Sequence, residues 1–418
     1  MLDGAGLDAV PQGDVVRRAA ELLAQLPECA VTCVARYCVG ADSNCICGAP
    51  KAALDGCAYT SCHISQAIYA RNVTERFCAT PVRNRTIRFN VMIIAMTIAL
   101  VCFISVRVVF LQFFTQRRLR AADWTVIAAI PLGLATVALT IFGLTAHGLG
   151  VDIWGLQASQ ATAFGRYFYA VQLLYVLLVT LIKLALTLFY LSIFFGRTIV
   201  ILLWATIAVH IAGAVAFCIG IVFQCTPIRY QWERYNYANN PLVEGHCINI
   251  NAAGWAHAAI SVASDIWMLA LPLSQLKKLN LHWKKKLGAA LMFFTGAIIT
   301  IVSFLRLASV RRYASTSNPT WDQWDIVWWS TIEIEVGLIC TCLPAMRLLL
   351  VRLAPRVFGS SVSEAIAPLN QITASAGQMT IGEEEGLSQA ISSQKTVFNA
   401  TKPLPWPGSG KVGNRPAT

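Results

Sequence analysis

The chain has 418 residues, of which 56% are hydrophobic and only 13% charged, with a mean hydropathy of +0.58. That composition excludes a purely soluble body and predicts a polytopic membrane protein. The net charge of +12 would suggest a nucleic-acid partner in a soluble chain; here it asks on which side of a bilayer the basic residues lie, and no nucleic-acid partner is expected.

The opening stretch has no basic segment leading into an apolar one, so no signal peptide is expected. Asp14 is placed to cap a short helix whose apolar positions Val15, Val16, Ala19, Leu22, Leu23 and Leu26 share one face, with Pro27 ending it. Eight of the 14 cysteines follow within a short segment: Cys29, Cys33, Cys38, Cys45, Cys47, Cys57, Cys62 and Cys78. So small a segment buries too little apolar surface to fold robustly alone, and an even cysteine count predicts a framework of four disulfides whose connectivity the spacing leaves open. A zinc site would want paired C-x2-C or C/H spacings, which are absent, and no metal is expected.

The run Pro27-Glu28-Cys29-Ala30, then Cys33, Cys38, Asp42 ahead of Cys45-Ile46-Cys47, then Cys57, Cys62 and Cys78, resembles the CFEM domain, an eight-cysteine extracellular module of fungi. The gap from Cys33 to Cys38 is shorter than that family usually has, which suggests a trimmed loop. In CFEM proteins that take up haem, the aspartate before the C-x-C ligates iron, so the resemblance makes Asp42 a candidate haem ligand. The plainer reading, that Asp42 caps a turn, is preferred, and no cofactor is expected.

Sequons at Asn72 and Asn84 predict glycosylation on a lumenal or outer face, although Asn84 lies close to the next apolar run; a third, at Asn399, falls on the opposite side. Seven membrane spans are predicted: Phe89 to Phe114, Trp124 to Thr145, Phe168 to Phe195, Thr198 to Phe223, Ala252 to Leu273, Leu287 to Leu307 and Ile326 to Val351. The expected fold is therefore an all-α seven-helix bundle, with residues 1–86 as a disulfide-rich helical ectodomain, 87–352 as the membrane body and 353–418 as a disordered, Ser-, Ala- and Gly-rich cytoplasmic tail.

Basic residues Arg117, Arg118, Arg120, Arg197, Lys277, Lys278, Lys284 to Lys286, Arg347, Arg352 and Arg356 gather on one side of such a bundle, which favours the N-terminus outside and the C-terminus inside. Arg83, Arg85 and Arg88 oppose that orientation; the need of the disulfides for an oxidising compartment supports it. The Lys277 to Lys286 loop and the tail are candidate contacts for a cytoplasmic signalling partner. On the outer side, Cys225 and Cys247 flank an aromatic loop and are expected to bridge. Cys102, Cys218, Cys340 and Cys342 fall in spans and read as packing residues.

The central stretch is Leu173 to Leu191, whose one charge is Lys183. A lysine at mid-membrane costs roughly 2.5 to 3.5 kcal/mol and needs a partner. Counted down their helices, Lys183 and Asp265 both lie roughly 18 to 22 Å from the outer ends and are expected to pair, while Arg306 with Glu333 or Glu335 would form a second, outer layer. Arg107 is expected to snorkel to the inner face. Such pairs can fix helix register or serve a ligand site. No H-E-x-x-H, G-x-S-x-G or phosphate-binding glycine loop occurs, so no enzyme activity is expected.

Asp123-Trp124, Gly148-Leu149-Gly150 with Ile153-Trp154, Lys183 with Phe189-Tyr190, Cys225-Thr226-Pro227 with Cys247, Asp265 with Leu271-Pro272, Gly296 through Arg306, and Glu333 with Cys342-Leu343-Pro344 together resemble the fungal rhodopsin-like integral membrane family over about residues 88 to 351. The resemblance implies a receptor-like protein of the plasma membrane sensing an unknown extracellular ligand, or an accessory or transport protein of a mycotoxin cluster, trichothecene or satratoxin in type. Retinal is not expected, because the last span holds no lysine. The D-R-Y and N-P-x-x-Y triplets tied to G-protein coupling are also missing.

Overall fold

The structure, a computed structural model, describes residues 12–38, 43–48, 51–110, 120–194, 196–236, 238, 243–276, 283–313 and 318–353. Five short helices come first: α1 (Gln12–Gln25), α2 (Glu28–Tyr37), α3 (Ser43–Cys47), α4 (Lys51–Ser61) and α5 (Ile64–Phe77). Helix α1 begins ahead of Asp14, which therefore sits within its first turn and not before it. Pro27 then serves as the N-cap of α2, where its fixed φ of −64° and lack of an N–H carry no penalty.

Four disulfides stitch these helices. Cys29–Cys62 and Cys33–Cys57 tie α2 to α4 and its end, Cys38–Cys45 ties the end of α2 to α3, and Cys47–Cys78 ties α3 to the end of α5. The Cα atoms they join stand 5.4 to 5.8 Å apart, within the normal span of a bridge. Between the bridges lies a small apolar core of Leu22, Leu26, Ala30, Val34, Ile46, Leu54 and Ala70. Closing loops of this size stabilises by about 2 to 4 kcal/mol per bridge, which compensates for so thin a core.

Seven long helices follow: α6 (Thr86–Phe110), α7 (Ala121–Ala138), α8 (Ala158–Leu191), α9 (Arg197–Val222), α11 (Ile250–Leu276), α12 (Trp283–Tyr313) and α13 (Pro319–Leu353). Six of them are long and apolar enough to cross a membrane; the remaining one, α12, carries its described apolar stretch over Gly296–Val310. Their lipid-compatible outer faces show Ile87, Val91, Phe142, Trp204, Val209, Phe223, Phe294 and Ile301, all exposed, as helices in hydrocarbon can be. Helix α8 is the pivot of the bundle. It packs against α7, α9 and α13 and buries Tyr175, Val176, Leu178, Val179, Ile182 and Lys183 in the main core, with Ile334 and Leu338 of α13 opposite.

Helix α7 continues as a π-helical turn over Leu139–Thr145 and ends in a tight loop. In that loop Gly150, at φ +80°, accepts the Arg85 N–H and donates to the Thr320 carbonyl. A Cβ there would strike the Trp324 ring at 2.6 Å, so both the backbone conformation and the space demand glycine.

The connection between α9 and α11 is a small lid. Strands β1 (Cys225–Thr226) and β2 (His246–Cys247) pair antiparallel, the Cys225–Cys247 disulfide joins them, and the four-residue helix α10 (Tyr230–Glu233) lies on α8. Gly165 of α8 permits that approach, because a Cβ would meet Trp232 Cα and Tyr235 Cδ2 at 3.1 Å. The cysteine-rich helices dock directly on this end of the bundle through a seam of Ile68, Ile153, Trp154, Ala161 and Tyr235.

A cavity beneath the disulfide-tied loop and its charged floor

Among the described residues, two buried charge layers involve the residues singled out by depth, Lys183 with Asp265 and Arg306 with Glu333. In the layer farther from the cysteine-rich region, Lys183 Nζ lies 2.9 Å from Asp265 Oδ1 and donates at 2.9 Å to both the carbonyl and the hydroxyl of Ser261. An ammonium has three donors, and all three are used. Helix α11 supplies every partner, since Ser261 and Asp265 are one turn apart on the same face.

The second layer lies nearer the cysteine-rich region. Glu333 on α13 accepts from Tyr175 Oη at 2.7 Å and from Ser303 Oγ at 2.8 Å. Arg306 Nη1 stands 3.7 Å from Glu333, an ion pair too long for a hydrogen bond. The Arg306 guanidinium stacks 4.2 Å over the Tyr175 ring, and Nη2 approaches His257 Nδ1 at 3.3 Å. Its Nε and Nη1 have no hydrogen-bond partner among the described residues.

Above this layer is a cavity of about 140 Å³. Its floor includes Tyr175 and Arg306, its walls Phe164, Phe168, Val171 and Val310, and its roof Gln231 and Tyr235 of the disulfide-tied loop. The roof residue Tyr235 is also part of the seam with the cysteine-rich helices. A second cavity, of about 410 Å³, opens between α8, α9 and α11 and is lined by Lys183, His210, His257, Ser261 and Ser264. There His210 Nε2 meets Ser264 Oγ at 2.7 Å, and Trp267 donates to Thr206 Oγ1 at 3.0 Å.

The other residues singled out by sequence fall differently. Glu335, grouped with Arg306, instead accepts from Thr97 Oγ1 of α6 at 3.3 Å, because it points to the side of α13 that faces α6. Arg107 does not snorkel. It is 8% exposed, donates to the Thr341 carbonyl and pairs with Asp123, so its charge is satisfied inside the bundle. Asn72, in the first sequon, is 4% exposed, and its Nδ2, the atom a glycan would take, donates to the Trp154 carbonyl at 2.7 Å. Asn84 is exposed, its Oδ1 accepting the Thr86 N–H at 2.8 Å. Cys340 and Cys342 are buried, Cys218 is partly buried and Cys102 is exposed. Asp42, residues 277–282, the side chains of Lys284, Lys285 and Lys286, and the tail from residue 354, with Asn399, lie outside the described residues.

Sequence reasoning missed the clamp between the two parts of the chain. Asp152 is fully buried and accepts from the Arg83 backbone at 2.8 Å, from Arg83 Nη2 at 2.7 Å and from Asn318 Nδ2 at 2.7 Å. The bond to Asp152 is the main reason the Arg83 guanidinium holds its proton even more tightly than usual. Arg83 and Arg85 both stack on Trp321, at 4.0 and 3.9 Å. The signal was in the chain: an aspartate between Gly150 and Trp154, following three basic residues that needed a counter-charge.

Long apolar helices with charges paired inside, capped by a disulfide-rich helical region, make this a multi-pass helical membrane protein. The chain belongs to the family described as Fungal rhodopsin domain, which matches residues 106–352. It is similar to a SAT4 family membrane protein of Emericella nidulans, 32% identical over 207 residues, which are 48% of this chain and 50% of that relative. It is also similar to Receptor GIN3 of Arthrobotrys oligospora, 22% identical over 286 residues, 68% of this chain and 67% of the relative. A third relative, Satratoxin biosynthesis SC1 cluster protein 4 of Stachybotrys chartarum, is 24% identical over 149 residues, 34% of this chain and 51% of its own. The chain thus spans about half the length of the first of these. No solved structure matches it. Despite the family's description, α13 contains no lysine to carry a retinal Schiff base, and Lys183 on α8 is committed to Ser261 and Asp265, so these residues do not fit that chromophore.

Proposed function

We propose that the protein is a receptor-like membrane protein of the fungal plasma membrane, with its cysteine-rich helices outside and its C-terminal tail inside, and that it senses a small molecule in the cavity beneath the disulfide-tied loop. The single observation that carries this reading is the construction of that cavity: a space roofed by a loop that also touches the cysteine-rich helices through Tyr235, over a floor where Arg306 is incompletely paired among the described residues. Pockets with apolar walls and a few convergent polar groups are the usual form of a small-molecule site. The disulfides support the orientation, since they need an oxidising side. Arg83 and Arg85 weigh less against it than their number suggests, because Asp152 and Trp321 engage them.

A second reading, a transport or accessory role in a biosynthetic cluster, is favoured by the larger cavity, which brings Lys183, His210 and His257 together in mid-bundle. Two glycines separate the readings. Gly254 lines the first cavity and Gly213 the second, and a Cβ at either meets nothing closer than 4.0 Å. In a strain lacking the gene, Gly254→Leu should reach the membrane in normal amount and fail to restore the lost response, whereas Gly213→Leu should restore it. The opposite pattern rejects sensing through the first cavity and supports transport. A C-terminal reporter digested by protease on intact cells would reject the orientation.

A further inference from the structure

We propose that the ligand of the smaller cavity is a compact molecule with a carboxylate group, and that Arg306 is the residue that binds it; this rests on the sensing reading above. Arg306 carries five N–H donors and is 6% exposed. The described residues take one of them, Nη2 toward His257 Nδ1. Glu333, its nearest acid, already accepts hydrogen bonds from Tyr175 on one oxygen and Ser303 on the other, and its separation of 3.7 Å leaves Nη1 without a hydrogen bond. A buried guanidinium left with idle donors is expensive, and a carboxylate is the group whose geometry and charge it best accepts.

The rest of the cavity sets the body of the ligand. Phe164, Phe168, Val171 and Val310 give apolar walls, so a bare inorganic ion would leave them uncovered. The volume of about 140 Å³ suits a benzene-sized body, since an engineered cavity of about 150 Å³ accepts benzene. On the roof, Gln231 has a buried side-chain oxygen with no hydrogen-bond partner, which offers an acceptor to a hydroxyl or amide on the far side of the ligand.

The test uses the full chain in nanodiscs, titrated with sodium benzoate and with benzamide, a neutral molecule of nearly the same shape. Benzoate should bind saturably and at least tenfold more tightly than benzamide. Arg306→Gln should bring the two within about twofold of each other, and Arg306→Lys should recover part of the preference. Because Arg306→Gln disturbs the floor, Gly254→Leu provides an independent check: it should abolish benzoate binding while leaving every charge in place. Equal binding of benzoate and benzamide, lost in Gly254→Leu, overturns the carboxylate assignment and keeps the cavity as a ligand site. No saturable binding of either, or benzoate binding unaltered by Gly254→Leu, overturns the assignment and the cavity reading together.

Discussion

Lys183 and Arg306 sit in one bundle, both nine-tenths buried and both beside a carboxylate, yet their surroundings differ in a way that separates structure from function. The ammonium of Lys183 has three donors and three acceptor atoms at 2.9 Å, all from α11. The guanidinium of Arg306 has five donors and, among the described residues, one acceptor at 3.3 Å and a carboxylate at 3.7 Å whose oxygens are occupied by hydroxyls of Tyr175 and Ser303. A saturated cation gains nothing from a ligand and behaves as a clamp. An unsaturated one, opening on a cavity, is held in reserve for something absent from the chain itself. Burial alone does not distinguish the two; donor counting does.

The sharpest way to break this comparison is at Lys183. Lys183→Ala leaves Asp265 as an uncompensated buried charge, and removing one member of such a pair typically costs about 3 to 5 kcal/mol. Folded protein at the membrane should fall steeply, and Asp265→Ala should do the same. Replacing both with leucine should restore abundance, because both desolvation penalties vanish together. Simple additivity of the two single losses in the double variant would show that the pair is not a clamp.

Next in size is the clamp at Asp152, which is saturated like Lys183 but sits where the cysteine-rich helices meet the bundle. Asp152→Ala removes the acceptor of the Arg83 backbone N–H and one acceptor of the Asn318 amide, and leaving a buried hydrogen-bonding group unsatisfied costs about 1 to 3 kcal/mol. The loss should be local. Hydrogen exchange should quicken at residues 80–86 and 150–156 with the core of α8 unchanged, and a uniform loss of protection along α8 would contradict that placement.

Much of this was legible in the sequence, for a physical reason. Lys183 and Asp265 were found because a charge in an apolar run has nowhere to go but toward another charge, so the run itself announces the pair. The floor beneath the cavity was only half legible. Arg306 and Glu333 could be matched by depth, but Tyr175, Ser303 and His257 are ordinary residues whose roles arise from helix rotation, which a depth count does not contain. The choice between Glu333 and Glu335 as the partner of Arg306 stays open in the sequence for the same reason: two residues on from Glu333, Glu335 points about 200° around the helix, toward Thr97. The burial of Asn72 is hidden in the sequence for another reason. The buried stripe of α5 runs Ser65, Ile68, Asn72, Glu75, and three polar residues in four hide an inward face behind a sequon. The polar members are tolerated because Asn72 bonds the Trp154 carbonyl and Glu75 the Lys51 ammonium at 2.6 Å.

A smaller effect is expected at Arg306 than at Lys183, and this difference is the quantitative form of the comparison. Arg306→Gln leaves Glu333 with its two hydroxyl donors, so the loss should be about 1 to 3 kcal/mol, the scale of one buried hydrogen-bonded group. Thermal unfolding of the two variants side by side checks the order. Arg306→Gln as damaging as Lys183→Ala would mean that Arg306 is a clamp too, and the distinction between the layers would fall.

The smallest effect extends the same logic to the cysteine-rich region, where protonation can be read from solution. Asp55 stands 3.6 Å from Arg71, too far for a hydrogen bond, and burial raises its carboxyl above the usual 3.8, outweighing the opposing pull of Arg71. A carboxyl whose folded value is raised binds its proton more readily when folded. Its contribution to stability is therefore fully present below the unfolded value of 3.8 and is lost as pH rises through the folded value. At neutral pH Asp55 is thus a charge the fold would rather not hold, and Asp55→Asn should stabilise the full chain slightly, by less than about 1 kcal/mol, read as a small rise in melting temperature, as befits a poorly paired, partly exposed ion. The gain should shrink as pH falls through the raised folded value and the wild-type carboxyl takes up its proton. If instead Asp55→Asn destabilises at neutral pH and the loss fades in acid, the Arg71 pairing outweighs burial, and incomplete pairing in this molecule is not by itself a sign of a penalised charge.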